Sequence, residues 1–374
     1  MQFRDLKKQY QVLKTQIDEV VLMVMSDANF ISGVQVTAIE KRLAEYVGVK
    51  HCVSCANGTD ALKLAELAYG IGPGDAVFLP DFTFFSTAET VADLGAKHVF
   101  VDVCEDTFNI DPNKLKESIE AVIAEGMYKP VAVVAVDLFG LPANYPELRK
   151  ICDKYNLLLI EDAAQGFGGK IGNQRACSFG DIATTSFFPA KPLGCYGDGG
   201  AIFTNDDNIA ALLRSLCVHG KSAEDKYNNQ RIGMNSRLDT MQAAILDVKL
   251  TAFGDYELEA VNKVAALYTE KLGGKFITPV VPEGYYSSWA QYTLRFESCE
   301  KRDAVQAALK EKGIPTMVYY PRGMHQQGAF ERLPYDGQCP VTENLCGTVL
   351  SLPMHPYLTE DEIAFICEEL IRTR

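Results

Sequence analysis

Lys191 stands in TTSFFPAKPLGCYGDGG, residues 184–200, between Pro189 and Pro192 and just ahead of a glycine-rich turn. Prolines fix the backbone there, and glycines let a ligand approach it closely. Such a setting suits an amine that holds a bulky group, releases it and takes it back. Two other stretches carry comparable chemistry. ANGTD, residues 56–60, links a strand to a helix that begins near Thr59. Unpaired amides at a helix start, with the Thr59 hydroxyl, make an anion site suited to a phosphate. Thr59 and Asp60 would serve equally well as ordinary helix caps. In IEDAAQ, Asp162 ends the apolar strand LLLIED. A carboxylate at the mouth of a buried strand needs a partner, whether a cationic ring nitrogen, a helix cap or an internal ion pair.

Joined, these stretches supply what pyridoxal 5'-phosphate requires. Its aldehyde needs a lysine, its phosphate a helix N-terminus, and its pyridine nitrogen an acid that keeps it protonated. Lys191, Thr59 and Asp162 offer these three functions.

The elements that must position them are legible from periodicity. Leu6, Tyr10, Leu13, Ile17, Val20, Val21 and Val24 have helical spacing, and a second helix starts after Gly33. From residue 51 strands and helices alternate. HCVSCANG, AVFLP, HVFVDV, VAVVAVDLFG, LLLIEDAAQ, DIATTSF and AIFTN read as strands, and TDALKLAELAYG, FSTAETVADLG, PNKLKESIEAVIAEG and YPELRKICDKYN as helices. The alternation predicts an α/β fold with a mostly parallel sheet and helices on both faces. After about residue 250 the pattern changes. AQYTLRFES and PTMVYY read as strands, and AVNKVAALYTEKLGG, KRDAVQAALKEKG and DEIAFICEELIRT as helices. The division expected is a large unit, 1–250, that includes the N-terminal helices, and a smaller α+β unit, 251–374. Ligands of an open parallel sheet bind beyond the carboxyl ends of its strands. The polar clusters 56–60, 81–87, 161–165 and 186–191 each follow a predicted strand, so they are expected to share one crevice.

Composition excludes several classes. A net charge of −13 over 374 residues argues against a nucleic-acid surface. No apolar run approaches the ~18 residues that span a bilayer, and the charged start lacks a signal-peptide core. Eleven scattered cysteines read as reduced core residues of a cytoplasmic protein. No GxGxxG occurs, and HGKS at 219–222 has Ser215 where a P-loop needs its first glycine. CVSC is a lone CxxC inside an apolar strand, and the five histidines show no paired spacing, so no metal site is expected.

FRDLKKQY, CANGTDAL, GPGDAVFLPDFTFFSTAET, IEDAAQGFG, SFFPAKPLGCYGDGGAIFTND, NSRLDTMQAAIL, AQYT and SLPMHPYLT together resemble the DegT/DnrJ/StrS family of nucleotide-sugar aminotransferases over nearly the whole chain. The resemblance implies fold-type I of the pyridoxal-phosphate enzymes, the aspartate aminotransferase-like fold. It implies that Lys191 binds the cofactor and carries protons, and that Asp162 partners the pyridine nitrogen. Gln165 matches the contact to the phenolic oxygen, and Phe84 the aromatic stacked on the ring. Gly58, Thr59 and Ser186 match phosphate-binding positions, and Asn235 a phosphate contact donated by the neighbouring subunit of a homodimer. Arg237, Tyr320 and His325 match substrate-side positions.

The amino donor implied is L-glutamate and the acceptor a keto-sugar nucleotide. Within the family the likeness is greatest to enzymes that aminate C3 of UDP-2-acetamido-2-deoxy-3-oxo-glucuronate for surface polysaccharide. Tyr319 stands where that subgroup has histidine. The alternatives are a dTDP- or UDP-linked 3-keto or 4-keto 6-deoxy sugar as acceptor, and, more remotely, a non-enzymatic regulator on the same fold.

Overall fold

The strands VAVVAV and LLIED have no polar alternation because helices cover both of their faces. The computed structural model describes residues 1–222, 224–225, 227–331 and 337–373. Its main sheet contains β1 (His51–Cys55), β2 (Asp75–Pro80), β3 (Lys97–Val101), β4 (Lys129–Val136) and β5 (Leu158–Asp162). A small hairpin of β6 (Lys170–Ile171) and β7 (Gln174–Arg175) precedes β8 (Ile182–Ser186) and β9 (Gly200–Thr204), which complete the sheet. The order across it is β1-β9-β8-β5-β4-β2-β3. All pairs are parallel except those of β9, which runs against both β1 and β8.

Successive residues of each strand feed opposite cores. Val77, Leu79 and Val134 pack with Leu62, Leu64, Ala88 and Val91 from helices Gly58–Ala68 and Ser86–Asp93. Ala76, Phe78, Val133 and Ala135 pack with Leu115, Ile119 and Leu148 from helices Pro112–Glu125 and Tyr145–Tyr155. Pro112 occupies the first turn of its helix, where a missing N–H costs nothing. Helix Asp207–Leu216, capped by the Asp206 side chain, follows β9 and has no counterpart in the sequence reading.

Helix Thr240–Ala252 passes through a π turn, Phe253–Glu257, straight into helix Leu258–Leu272. Beyond it, β10 (Tyr285–Tyr286) joins the β6–β7 hairpin, and β11 (Tyr292–Arg295) pairs with β12 (Val349–Leu352). Helices Cys299–Glu311 and Glu360–Arg372 pack beside this pair. One apolar cluster runs from Ile39, Phe187 and Phe203 through Phe253 to Tyr292, Leu350 and Ile366, so side-chain packing is continuous past residue 250. PTMVYY is not a strand. Only Met317 makes a bridge, exchanging two hydrogen bonds with Ser351, and the chain then turns Tyr319 and Tyr320 toward the mouth of the main sheet. Among the described residues no helix is long and apolar enough to cross a membrane.

Candidate active site

The carboxyl ends of β1, β2, β5 and β8 lie along one edge of the sheet, with the first residue of β9 among them. Gly200 is in register with both Cys55 and Ser186. A side chain at Gly200 would strike the Asn57 carbonyl at 2.4 Å. Glycine there lets the start of helix Gly58–Ala68 sit directly on the sheet edge. Asn57 caps that helix by accepting from the Asp60 amide at 2.8 Å. The cap is therefore Asn57, and the amides of Gly58 and Thr59 point out of the first turn without an acceptor in the helix. Thr59 Oγ1 lies 2.7 Å from Ser86 Oγ. Gly58 packs on Ser186 so closely that a Cβ would come within 2.6 Å of the serine's own Cβ. The result is a cluster of two helix-start amides and three hydroxyls, Thr59, Ser86 and Ser186. It is the donor set an anion requires.

Asp162 is 4% exposed at the end of β5. Its Oδ2 accepts from Thr87 Oγ1 at 3.0 Å and its Oδ1 from the Ala164 amide at 3.1 Å. Burial raises its pKa, while the Ala164 amide, the Lys191 charge and Thr87 favour the ionised form. Lys191 is half-buried opposite it, and its amine finds no hydrogen-bond acceptor among the described residues. Burial lowers the Lys191 pKa, the Asp162 charge opposes that shift, and Arg4 adds to it. The main chain around the lysine is tied down. Lys191 N donates to Phe188 O at 2.9 Å, and Cys195 N to Phe187 O at 2.7 Å.

Gln165 Oε1 accepts from the Phe139 amide at 2.7 Å, and its Nε2 donates to the Tyr320 hydroxyl at 2.9 Å. The Tyr320 ring lies 6.2 Å from that of Phe84, which is 53% exposed. The mouth of the sheet thus brings Gly58, Thr59, Phe84, Asp162, Gln165, Ser186, Lys191 and Tyr320 together.

Three expected residues are not among this group. Asn235 and Arg237 are exposed, flanking the buried Ser236, whose hydroxyl accepts from the Ala56 amide at 3.0 Å. Arg237 lines a surface recess of about 1020 Å³ with His219, Lys221 and Arg231. His325 rests on Asp81. Its Nδ1 is 2.6 Å from Oδ2 and its amide donates to Oδ1 at 2.8 Å, while Nε2 faces Glu343 at 3.4 Å. Asp81, His325 and Cys339 bring donor atoms within 4.8 Å of one another. The Asp81–His325 separation is that of a hydrogen bond, closer than two ligands held roughly 2.0–2.3 Å from one tetrahedral zinc. Both cysteines of CVSC, Cys52 and Cys55, are buried, and burial pushes both thiols well up.

Sequence reasoning missed Ser86 and Arg4. Ser86 had a local signal, since it opens the helix after FTFF. Arg4 lies in FRDLKKQY, but nothing local points to its partners, which are 187 and 188 residues away.

Residues 11–371 match the model of the DegT/DnrJ/EryC1/StrS aminotransferase family. The chain is 45% identical over 99% of its length, and 99% of the relative's, to the UDP-2-acetamido-2-deoxy-3-oxo-D-glucuronate aminotransferase of Pseudomonas aeruginosa. It is 44% identical over 98% of its length to a pleiotropic regulatory protein of Geobacillus stearothermophilus, covering 96% of that protein. A crystal structure of a DegT DnrJ EryC1 StrS aminotransferase from Brucella abortus superposes with a TM-score of 0.96 at 47% identity, covering 100% of this chain and 98% of that one.

Proposed function

The chain belongs to the DegT/DnrJ/EryC1/StrS aminotransferase family, and from that premise we propose that it moves an amino group from L-glutamate to C3 of UDP-2-acetamido-2-deoxy-3-oxo-glucuronate. It is an aminotransferase of the pyridoxal-phosphate-dependent kind. The observation that carries the reading is the half-buried Lys191, whose amine finds no hydrogen-bond acceptor among the described residues, facing Asp162 beside a ready anion cluster. The identity over full length to the Pseudomonas aeruginosa enzyme supports the choice of sugar.

Pyridoxal phosphate, when bound, supplies an aldehyde that accepts amino groups and a protonated ring that withdraws electrons. The residues present fit it. The amides of Gly58 and Thr59, with the hydroxyls of Thr59, Ser86 and Ser186, would hold its phosphate. Asp162 would face its ring nitrogen, Gln165 its phenolic oxygen and Phe84 its ring. Thr87 and the Ala164 amide keep Asp162 oriented. Lys191 would do the proton work. Burial favours its neutral amine, so in the donor half Nζ would take the proton from the α-carbon and hand it to the carbon that keeps the amine, and in the acceptor half it would carry a proton the opposite way, onto the sugar carbon. Half of the cycle releases the keto acid and the other half consumes the keto sugar, so ping-pong kinetics follow.

We further propose that two copies form the working unit. Leu22, Phe30, Ile31, Val34 and Ile232 are exposed apolar side chains, an arrangement that calls for a partner surface. Asn235 and Arg237 would then complete the site of the second copy, adding a phosphate contact and a cation for the sugar's carboxylate. The regulatory name of the Geobacillus stearothermophilus relative favours a second reading, a regulator on this fold. A regulator has no use for a half-buried lysine amine opposite a buried carboxylate, and the first reading accounts for both.

The test supplies L-glutamate with the 3-oxo uronate, a 3-oxo sugar lacking the carboxylate, or a 4-keto 6-deoxy sugar. Production of 2-oxoglutarate and an aminated sugar nucleotide is followed by mass spectrometry. The uronate should turn over fastest, and turnover of the 6-deoxy sugar alone would overturn the assignment.

A further inference from the structure

Arg4 lies just ahead of the first helix, Leu6–Asp27, yet its guanidinium ends on the loop that carries Lys191. Nη2 donates to the Lys191 carbonyl at 2.7 Å and to the Pro192 carbonyl at 3.2 Å. The Lys191 amide already donates to Phe188 O at 2.9 Å. Arg4 therefore completes a clamp on both sides of the lysine's α-carbon while leaving the four-carbon stem free.

The N-terminal segment is itself held. Met354 N donates to Phe3 O at 3.1 Å, and the Phe3 ring meets Tyr319 edge-on at 6.1 Å. Arg4 and Pro192 line one narrow cleft with Glu257, the last residue of the π turn. Glu257 is 3% exposed and accepts from Gln9 Nε2 at 2.9 Å and from the Tyr357 hydroxyl at 2.5 Å. Such π turns recur at functional positions because they displace one side chain out of helical register.

We infer that Arg4 is a positioning residue for amino transfer, fixing the root of Lys191 through its two carbonyl contacts so that the amine swings within reach of the reacting carbon. The inference rests on the reading of Lys191 as the lysine that carries the cofactor. Proton transfer tolerates little misplacement, since an error of about 1 Å costs roughly 100-fold in rate. A lysine that must leave and return cannot be held by its amine, so its main chain is the part that can be fixed. Arg4 also sets a cation near the amine, and this works with burial against protonation of Lys191 while Asp162 works for it.

Full-length protein stripped of cofactor is mixed with pyridoxal phosphate. Capture is followed by visible absorbance and, after borohydride reduction, by the mass of the tagged peptide. The chains compared are wild type, Arg4→Gln, Arg4→Lys and Lys191→Ala. Arg4→Gln is expected to capture about 10-fold more slowly and to lose about 10-fold in kcat, with KM for L-glutamate within about 2-fold of wild type. Arg4→Lys keeps the charge and one donor direction, and is expected to recover part of both losses. Wild-type capture and kcat in Arg4→Gln would overturn the inference alone. So would a loss that merely follows a lowered Tm and vanishes on cooling. Tagging of wild type at a lysine other than Lys191 would overturn the reading beneath it, and the inference with it.

Discussion

Gln165 and Tyr320, 155 residues apart, meet through a 2.9 Å hydrogen bond from the Gln165 amide nitrogen to the Tyr320 hydroxyl. The other end of the same amide accepts from the Phe139 amide at 2.7 Å. One buried side chain thus joins the exits of β4 and β5 to the segment that leaves Met317. Replacing Gln165 by alanine strands the buried Phe139 amide and the Tyr320 hydroxyl. Loss of about 1–3 kcal/mol is expected in urea unfolding. Gln165→Glu, which keeps the acceptor but not the donor, should lose less.

Asp162→Asn preserves the shape of the β5 exit and removes its charge. Capture of pyridoxal phosphate on Lys191 should persist, while turnover falls by about 100-fold or more, the scale on which a preorganised electrostatic group acts. Borohydride-trapped peptide and kcat, measured on the same preparation, separate the two effects.

Gly58→Ala forces a methyl group to within 2.6 Å of the Ser186 Cβ and 3.3 Å of its Cα. Neither is the end of a flexible side chain, so the helix start must move away from β8. A cost of about 1–3 kcal/mol in stability is expected. Retention of cofactor during dialysis should weaken with it, because the amides and the Ser186 hydroxyl no longer converge.

Glu66 provides a test of pH dependence away from the reaction. Its side chain is fully buried, with Oε1 accepting from Thr90 Oγ1 at 3.0 Å and Oε2 without a partner. Burial lifts its pKa from 4.5 to about 8. The folded chain therefore keeps a proton between those values that the unfolded chain releases. Stability must fall as pH rises through this window, by at most about 1.4 kcal/mol per pH unit from this group. Glu66→Gln, which keeps an acceptor for Thr90 and cannot ionise, should unfold at the same denaturant concentration as wild type near pH 4 and below. It should be the more stable chain at pH 8, with the gap levelling off above that.

Arg237→Ala should discriminate among sugars. If Arg237 holds the carboxylate as proposed, an acceptor with a C6 carboxylate loses a bidentate partner, and kcat/KM is expected to fall by about 10-fold or more. An acceptor with a methyl group at C6 has no charge to lose, and its kcat/KM should stay within about 2-fold. Equal losses for both would place Arg237 on the nucleotide or in a purely structural role.

Much of the candidate site's layout was legible because it is built from short local pieces. A strand that ends in Asp162, a helix that begins at Gly58 and a lysine between two prolines each announce themselves within a few residues. The sheet edge collects them because βα alternation sends every parallel strand's carboxyl end the same way. The apolar periodicity likewise determined which faces of the strands and helices are buried.

Tertiary structure alone decided the rest. Nothing near Arg4 signals that it reaches Lys191 and Pro192, nothing near His325 that it lies on Asp81, and nothing near Glu66 that both its oxygens are shut from water. PTMVYY has the composition of a strand, but only Met317 finds a partner in Ser351. Local periodicity records which side of an element avoids water. Which distant residues share that dry space is set only when the elements pack.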